Sequence, residues 1–366
     1  MQRSQVLRQP SATARSRRAR QEPRSRWLAV LVGLMTAYAL LLITYRLADV
    51  LADLTLVFDL QSSLANWLGL VSTFEPLFLL PLLPCLVLAL LWRARLTALL
   101  LTLAAIPFVL FYAPLFLPHS PAPPASRPLK VMTHNILAAN QQSDRLAEAI
   151  VAENPDVLAL QELIANHATR LAPRLSQVYP YRVIYRDQGL GLYSRYPLRD
   201  AQLSTLAPES SFAIRAVLDT PSGAITVFNA HPRNPRIDWT SWGGSLFYVA
   251  NFDPTRRDRA VTALSQAIER VQGPVLVLGD LNLPDRSAAY RLLTRTLRDG
   301  HRDAGWGLGY TFPAARPGGP LGFLFPVLRI DYVLYSSDLR AVETWLGAPT
   351  GSDHRPVIAR LALPTK

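Results

Sequence analysis

Pro274-Val275-Leu276-Val277-Leu278-Gly279-Asp280-Leu281-Asn282 decides the fold. Four aliphatic residues in a row, bounded by Pro and Gly, read as a strand buried on both faces. The run stops at an acid and an amide two positions apart. Residues two apart on an extended chain point to the same side, so Asp280 and Asn282 share a face at the strand end. A carboxylate there can orient and deprotonate water while the amide fixes a phosphate oxygen. Gly-Asp-Leu-Asn is also ordinary turn chemistry. What gives it weight is that the same design recurs along the chain.

Thr133-His134-Asn135 closes an apolar run from Leu129, and Gln161-Glu162 closes Val157–Leu160. Asn229-Ala230-His231-Pro232 follows Ile225–Phe228. Asp331 sits inside Ile330–Tyr335, and Ser352-Asp353-His354-Arg355-Pro356 precedes Val357–Leu361. Strand ends on one edge of a sheet bring distant residues into one pocket. Carboxylates, Asn and His together suit a hard divalent cation and hydrolysis of a phosphate ester. Glu162 can ligate Mg²⁺ through its carboxylate, and Asn135 can do so through its amide oxygen. His231 can bind or protonate a phosphate oxygen. Asp353 and His354 can serve metal and phosphate respectively. Asp331 is a costly buried charge unless paired, and His354 is the candidate partner. Plainer readings exist for each: a turn at Asn135, a helix start at Glu162, a structural His231, an Asx turn closed by Pro356. His134 points to the opposite face of its strand and reads as structural.

The chain has 366 residues, half of them hydrophobic, and a formal charge of +12. Arg outnumbers Lys 36 to 2. Residues 127–366 carry 27 basic and 21 acidic residues. That mild excess permits an anionic substrate without demanding nucleic acid. A lone cysteine, Cys85, excludes an intrachain disulfide and makes a cysteine zinc site or thiol nucleophile untenable.

Four regions follow. Residues 1–26, with eight Arg and one Glu, read as a disordered basic cytoplasmic tail. Residues 27–117 read as a membrane region with about three transmembrane helices. Trp27–Tyr45 is 19 residues without a charge, long enough for the hydrocarbon core. Arg46–Glu75 reads as a polar connection lying on the membrane. Pro76–Trp92 and Leu96–Leu117 read as a helical hairpin turned at Arg93-Ala94-Arg95. The positive-inside rule puts the tail in the cytoplasm. Three crossings then place the catalytic domain outside a multi-pass cell membrane. Residues 118–128 hold five prolines and read as a stiff linker. Residues 129–366 form the catalytic domain, with strands at the runs above and at Tyr181–Tyr185, Leu190–Ser194 and Ile214–Leu218. Helical periodicity marks Ser143–Glu153, Ile164–Val178, Thr255–Val271 and Arg286–Arg298.

The ordered set His134-Asn135, Gln161-Glu162, Asn229-Ala-His231, Gly279-Asp-Leu-Asn282, Ile330-Asp331-Tyr332 and Ser352-Asp-His354 resembles the endonuclease/exonuclease/phosphatase superfamily, the DNase I-like fold. Leu192–Leu198 and Tyr310-Thr311-Phe312-Pro313 match further family segments. The resemblance runs from Leu129 to Leu363, and membrane-anchored bacterial members are the nearest match. It implies an α/β (α+β) four-layer sandwich, two packed mixed sheets flanked by helices, preceded here by transmembrane helices. It implies Mg²⁺- or Mn²⁺-dependent phosphoester hydrolysis. Asn135, Glu162 and Asp353 would be metal-site residues. Asp280 would activate or orient water, and Asn282 and His231 would hold phosphate. His354 would contact the scissile phosphate, oriented by Asp331. Abasic-site endonucleases of the superfamily have an Asp where Leu137 stands and a catalytic Tyr in the region of His231, so an abasic-site repair role is disfavoured.

The partners expected are the lipid bilayer and a phosphodiester, either nucleic acid or a phospholipid headgroup; no obligate protein partner is evident. Arg233 to Arg259 reads as a long connection containing Trp239, Trp242, Phe247, Tyr248 and Phe252, then Arg256, Arg257 and Arg259. Such aromatics can stack bases, dip into a membrane interface, or pack on their own domain. The alternative from another class is a catalytically silent membrane adaptor on the same fold.

Overall fold

The computed structural model describes residues 12–56, 63–119, 128–208, 211–242, 246–314 and 326–363. The chain divides into two units: Met1–Leu60 with Glu75–Phe111, and Gln61–Phe74 with Tyr112–Lys366.

In the first unit, α1 (Ala12–Leu56) is one helix of 45 residues. It includes residues 12–26, expected as a disordered tail; Ala, Arg and Gln there are good helix formers. Residues 1–11 lie outside the described residues. Arg26–Leu51 and Arg95–Phe116 are long and apolar enough to cross a membrane. Arg46, inside the first, is paired with Asp49 at 3.0 Å and Glu75 at 3.4 Å, as a charge in such a segment requires. The expected hairpin arm from Pro76 to Trp92 is broken. The chain after α2 (Ser63–Thr73) forms α3 (Glu75–Leu79) and α4 (Leu82–Leu91). Pro81, which has no N–H to donate, stands at the break. α5 (Arg95–Tyr112) is continuous through Pro107.

Among the described residues, the second unit is built on 14 strands. They are β1 (Leu129–Asn135), β2 (Val157–Gln161), β3 (Tyr181–Tyr185), β4 (Leu190–Ser194), β5 (Leu198–Ala207), β6 (Ser211–Thr220), β7 (Gly223–His231), β8 (Arg236–Trp242), β9 (Leu246–Asp253), β10 (Val275–Asp280), β11 (Arg298–Asp299), β12 (Asp331–Tyr335), β13 (Arg340–Leu346) and β14 (Val357–Ala362). One sheet runs β13-β14-β1-β2-β4-β3 and the other β11-β12-β10-β7-β6-β5. Each has one parallel pair, β1/β2 and β7/β10, flanked by antiparallel neighbours.

Strand periodicity generates the layers. Val131, Val157, Ile214, Val227, Leu276, Leu278 and Val333 point between the sheets into one buried cluster. Met132, Leu158 and Leu160 point outward and meet α6 (Ser143–Glu153) and α7 (Ala165–Val178). Val275, Val277 and Leu334 point outward on the other side. They meet α8 (Thr255–Glu269) and α9 (Ala288–Leu293). The result is the four-layer α/β sandwich. A short α10 (Gly300–Ala304) follows β11.

Three regions differ from expectation. Arg233–Arg259 is not a loop: β8 and β9 pair as a two-stranded hairpin, followed by α8. α2, expected to lie on a membrane, packs on β9, with the Cβ position of Gly69 3.8 Å from Phe252. The Pro-rich linker is preceded by domain contacts: Gly307 donates its N–H to Leu115 at 2.8 Å and Phe116 meets Trp306 edge-on at 6.0 Å. Residues 120–127 of that linker lie outside the described residues.

Candidate active site

The inter-sheet core changes character toward one edge. In β1, Val131 is followed on the same face by Thr133 and Asn135; in β2, Ala159 is followed by Gln161; in β7, Val227 by Asn229 and His231; in β10, Leu278 by Asp280. These four strands all run toward that edge. β12 is antiparallel to β10 and starts there, with Asp331 opposite Asp280. β14 is antiparallel to β1, so Asp353 and His354, just before it, arrive at the same edge.

The first polar layer is structural. Gln161 donates Nε2–H to Asn229 Oδ1 at 2.7 Å, and Asn229 Nδ2 donates to the carbonyls of Leu160 and Gly191 at 3.1 and 2.9 Å. All are buried and span the two sheets, so each bond prevents a desolvation cost of about 1–3 kcal/mol. Gly279 lets β10 approach β7: a Cβ there would lie 2.0 Å from the Ala230 carbonyl oxygen.

The second layer faces a cavity of 840 Å³. Asn135 Nδ2 donates to Asp280 Oδ2 at 2.9 Å and to Glu162 Oε1 at 3.0 Å. Its Oδ1 accepts the Leu137 N–H at 3.0 Å, so one lone pair is taken and the other is what Asn135 has for a cation. Glu162 Oε2 accepts the Ala138 N–H at 2.7 Å. Glu162 holds φ 57°, a left-handed conformation that is unusual for Glu. Asn282 also has positive φ, 52°; its N–H caps Asp280 Oδ1 at 2.9 Å and its Nδ2 donates to the Pro232 carbonyl at 2.9 Å. Buried Arg257 donates to the Asn282 carbonyl at 3.3 Å.

His354 Nδ1 lies 2.9 Å from Asp331 Oδ2, and its Nε2 is 3.7 Å from Asp280 Oδ2. His231 Nε2 is 3.6 Å from the same oxygen. Ser352 accepts the His354 N–H at 3.0 Å and donates to the Asn135 carbonyl at 2.7 Å, tying the β14 approach to β1. Phe312 packs against the His354 ring at 4.9 Å. Burial lowers the pKa of His354, but the flanking Asp331 and Asp280 outweigh it and raise it to about 10. Burial raises Asp280, yet His354, His231 and the Asn135 amide pull it to about 2. Burial pushes Asp331 up, against the pull of His354. His134 is excluded from this set: it bonds Thr350 at 2.7 Å, and burial lowers its pKa to about 3.

Two groups bear on a cation. Asp280, Asp331 and His354 offer ligand atoms within 4.8 Å of one another, the one such His/Asp/Glu group among the described residues. Both nitrogens of His354 already face carboxylates there, so this trio fits a hydrogen-bonded relay better than a cage. Glu162, Asp353 and the Asn135 amide are the oxygen donors a hard cation prefers. Burial raises Asp353, and nearby Glu162 and Asp280 add to that rise. Such crowding of carboxylates is what a divalent ion relieves, so the residues fit one.

A model of the Endonuclease/Exonuclease/phosphatase family matches residues 132–354. The chain belongs to this family. Solved structures resemble the catalytic part of the chain, several of them over nearly their whole length. The protein from Bacteroides vulgatus is 21% identical, with a TM-score of 0.51 over 64% of this chain and 98% of its own. TDP2 of D. rerio, solved with a single strand DNA product, is 16% identical, with a TM-score of 0.52 over 64% of this chain and 98% of its own. TDP2 of Caenorhabditis elegans is 15% identical, with a TM-score of 0.52 over 65% of this chain and 99% of its own. At these identities the likeness concerns the fold. No curated protein matches by sequence. The family segments Asn135, Glu162, His231, Asp280, Asn282, Asp331, Asp353 and His354 all come together at the one edge. Sequence patterns did not mark Arg257 as the support of Asn282, nor α2 as a wall of the cavity, since neither lies in an apolar run ending in polar residues.

Proposed function

We propose that this chain is a membrane-anchored, divalent-metal-dependent phosphoester hydrolase. One observation carries the reading: buried Asp280 is surrounded by Asn135, His231, His354 and the Asn282 N–H in a cavity that Glu162 and Asp353 also line. Glu162, Asp353 and Asn135 would hold Mg²⁺ or Mn²⁺, which when bound supplies a Lewis acid for a phosphate oxygen.

The chain's own residues divide the remaining work. Asp280 is too weak a base, with a pKa of about 2, to keep a proton at neutral pH. It acts by accepting a hydrogen bond from the attacking water and aligning it. His354 is a cation whose Nδ1–H is fixed on Asp331. Its Nε2–H, 3.7 Å from Asp280 and beyond hydrogen-bond reach of it, is left to meet charge that develops on a phosphate oxygen in the cavity. His231 approaches the same point from β7. Asn282 spends one amide hydrogen on Pro232 and keeps the other for a phosphate oxygen.

Connectivity supports the membrane topology. α1 and α5 are long and apolar enough to cross, and Glu75–Leu91 between them would be the return arm, at about 1.5 Å per residue near the lower limit for a span. With α1 crossing once and the Arg-rich N-terminus in the cytoplasm, the catalytic unit is extracytoplasmic.

The test is hydrolysis of bis-p-nitrophenyl phosphate by the full chain in detergent micelles. Turnover should require Mg²⁺ or Mn²⁺ and vanish with chelator. Chelator-insensitive turnover would remove the metal from the assignment, and no turnover by folded, metal-supplied protein would remove the hydrolase.

A further inference from the structure

One wall of the active-site cavity comes from far outside the catalytic sequence. Leu70, Thr73 and Phe74, at the end of α2, line the same cavity as Glu162, Asp280 and His354. They precede the family match by more than 50 residues. The wall packs on β9, where a Cβ added at Gly69 would lie 3.8 Å from buried Phe252. On the open side, Ile237 of β8 and Phe212 of β6 add to the apolar lining. The lining is therefore two-sided in character: a polar floor at the sheet edge and an apolar, aromatic rim.

Charge decides what that rim is for. Among the described lining residues there are four acids, Glu162, Asp187, Asp280 and Asp353, and two Arg; the His354 cation beside them is already paired with Asp331. Arg257 is one of the two Arg, and it is already committed to Asp258 and the Asn282 carbonyl. A site that tracks a nucleic-acid backbone needs a row of free cations. This cavity can neutralise one phosphate and offers the rest of the molecule hydrocarbon. Position points the same way. α2 is joined in sequence to α1 on one side and, through α3 and α4, to α5 on the other, and α1 and α5 are long and apolar enough to cross a membrane. The two elements that meet at the rim also show solvent-facing large side chains: Trp67 of α2 is 40% exposed, and Ile237 and Trp239 of β8 are 40% and 64% exposed. Indole rings in such places favour the interface of a bilayer.

We propose that α2 is the specificity wall of this enzyme, and that it selects a phosphoester carried on an apolar chain at the membrane surface. The phosphate sits on the polar floor, and the hydrocarbon leaves past Leu70, Phe74 and Phe252. The proposal rests on the hydrolase reading above. It departs from it by making a segment between membrane helices part of substrate recognition.

The experiment compares methyl, octyl and hexadecyl p-nitrophenyl phosphate, which share one scissile bond and leaving group. The full chain is assayed in nonionic micelles at fixed substrate mole fraction. Wild-type kcat/KM should rise with chain length. In Leu70→Ser/Phe74→Ser the hexadecyl-to-methyl ratio should fall about tenfold, by loss of apolar contact. Leu70→Ile/Phe74→Leu should restore it. Hydrolysis that does not favour longer chains in the wild type overturns the proposal while leaving the hydrolase intact. So does a ratio that the Ser pair leaves unchanged. Should the Ser pair misfold, the wild-type chain-length series and the conservative pair still decide. Absence of any metal-dependent turnover, on methyl ester as on hexadecyl, would instead overturn the hydrolase reading itself.

Discussion

Arg329 and Asp331 lie two residues apart at the start of β12, both nearly inaccessible, and their surroundings could hardly differ. Arg329 pairs Nη1 with Asp299 at 2.6 Å and Nη2 with Asp285 at 2.9 Å. Its guanidinium stacks over Tyr332 at 4.8 Å and Tyr290 at 5.7 Å. Asp299 accepts from Tyr290 at 2.7 Å and from the His301 N–H at 2.9 Å as well. Charge here is neutralised inside the protein and shut in by rings. Asp331 gives one oxygen to His354, and the imidazolium passes the interaction on to Asp280 at the cavity wall. Burial alone does not make a charge functional. A charge acts on a substrate when its chain of partners ends at open space.

Substitutions should separate the two groups. The largest effect belongs to Asp280. Asp280→Asn keeps the shape but removes the charge that aligns water and holds His354. Hydrolysis of bis-p-nitrophenyl phosphate should fall by about 10³-fold, with thermal stability little altered. A rate within a few fold of wild type would take Asp280 out of the reaction. Arg329→Met should show the reverse. Two carboxylates would be left buried without their cation, a loss of about 3–5 kcal/mol, measured by chemical denaturation. The rate per folded molecule should stay close to wild type. Asp331→Asn belongs between them. It leaves a hydrogen-bond acceptor for His354 Nδ1 but lowers the charge, and a supporting partner of this kind is worth about 10–100-fold in rate. Equal losses of rate and stability in Asp331→Asn and Arg329→Met would erase the distinction.

The sheets were legible because β2, β10 and β12 are apolar runs of four residues buried on both faces, and β1 and β7 carry only one polar residue before their polar ends. The site was legible for a related reason. At β1, β2, β7 and β10 the inward-facing position changes from apolar to polar at the last residues of the strand, and sequence spacing shows that change. β5 and β13 were not legible. Leu198-Arg-Asp-Ala-Gln-Leu-Ser-Thr-Leu-Ala and Arg340-Ala-Val-Glu-Thr-Trp-Leu are edge strands with mixed burial, and neither alternation nor continuity survives in them. The Arg329 pairing with Asp285 and Asp299 spans 44 and 30 residues, a relation no local pattern encodes. The packing of α2 on β9 was not legible either: an apolar helix between membrane segments has the same composition whether it faces lipid or a domain.

The smallest effect should appear at the rim of the Arg329 group, and it sharpens the comparison through pH. His301 is buried, with Nε2 2.9 Å from the Gly307 carbonyl oxygen. A Cβ on Gly309 would lie 2.4 Å from that Nε2, so only glycine lets the ring in. Burial, then the charge of Arg329, lowers the His301 pKa, against smaller pulls from Gly307, Asp299 and Asp285. The folded protein therefore holds His301 neutral where the unfolded chain would protonate it. The unfolded state binds more protons, so stability falls as pH drops through the ordinary histidine range, with a limiting slope of about 1.4 kcal/mol per pH unit. His301→Gln should lose stability at pH 8 yet fall less steeply between pH 7 and 5. The difference between wild type and variant isolates this group from His134 and His354, which titrate in both. Parallel pH profiles would mean that His301 takes up its proton as readily in the fold as in the unfolded chain. The Arg329 group would then not be the closed, self-neutralised cluster that sets it apart from the site.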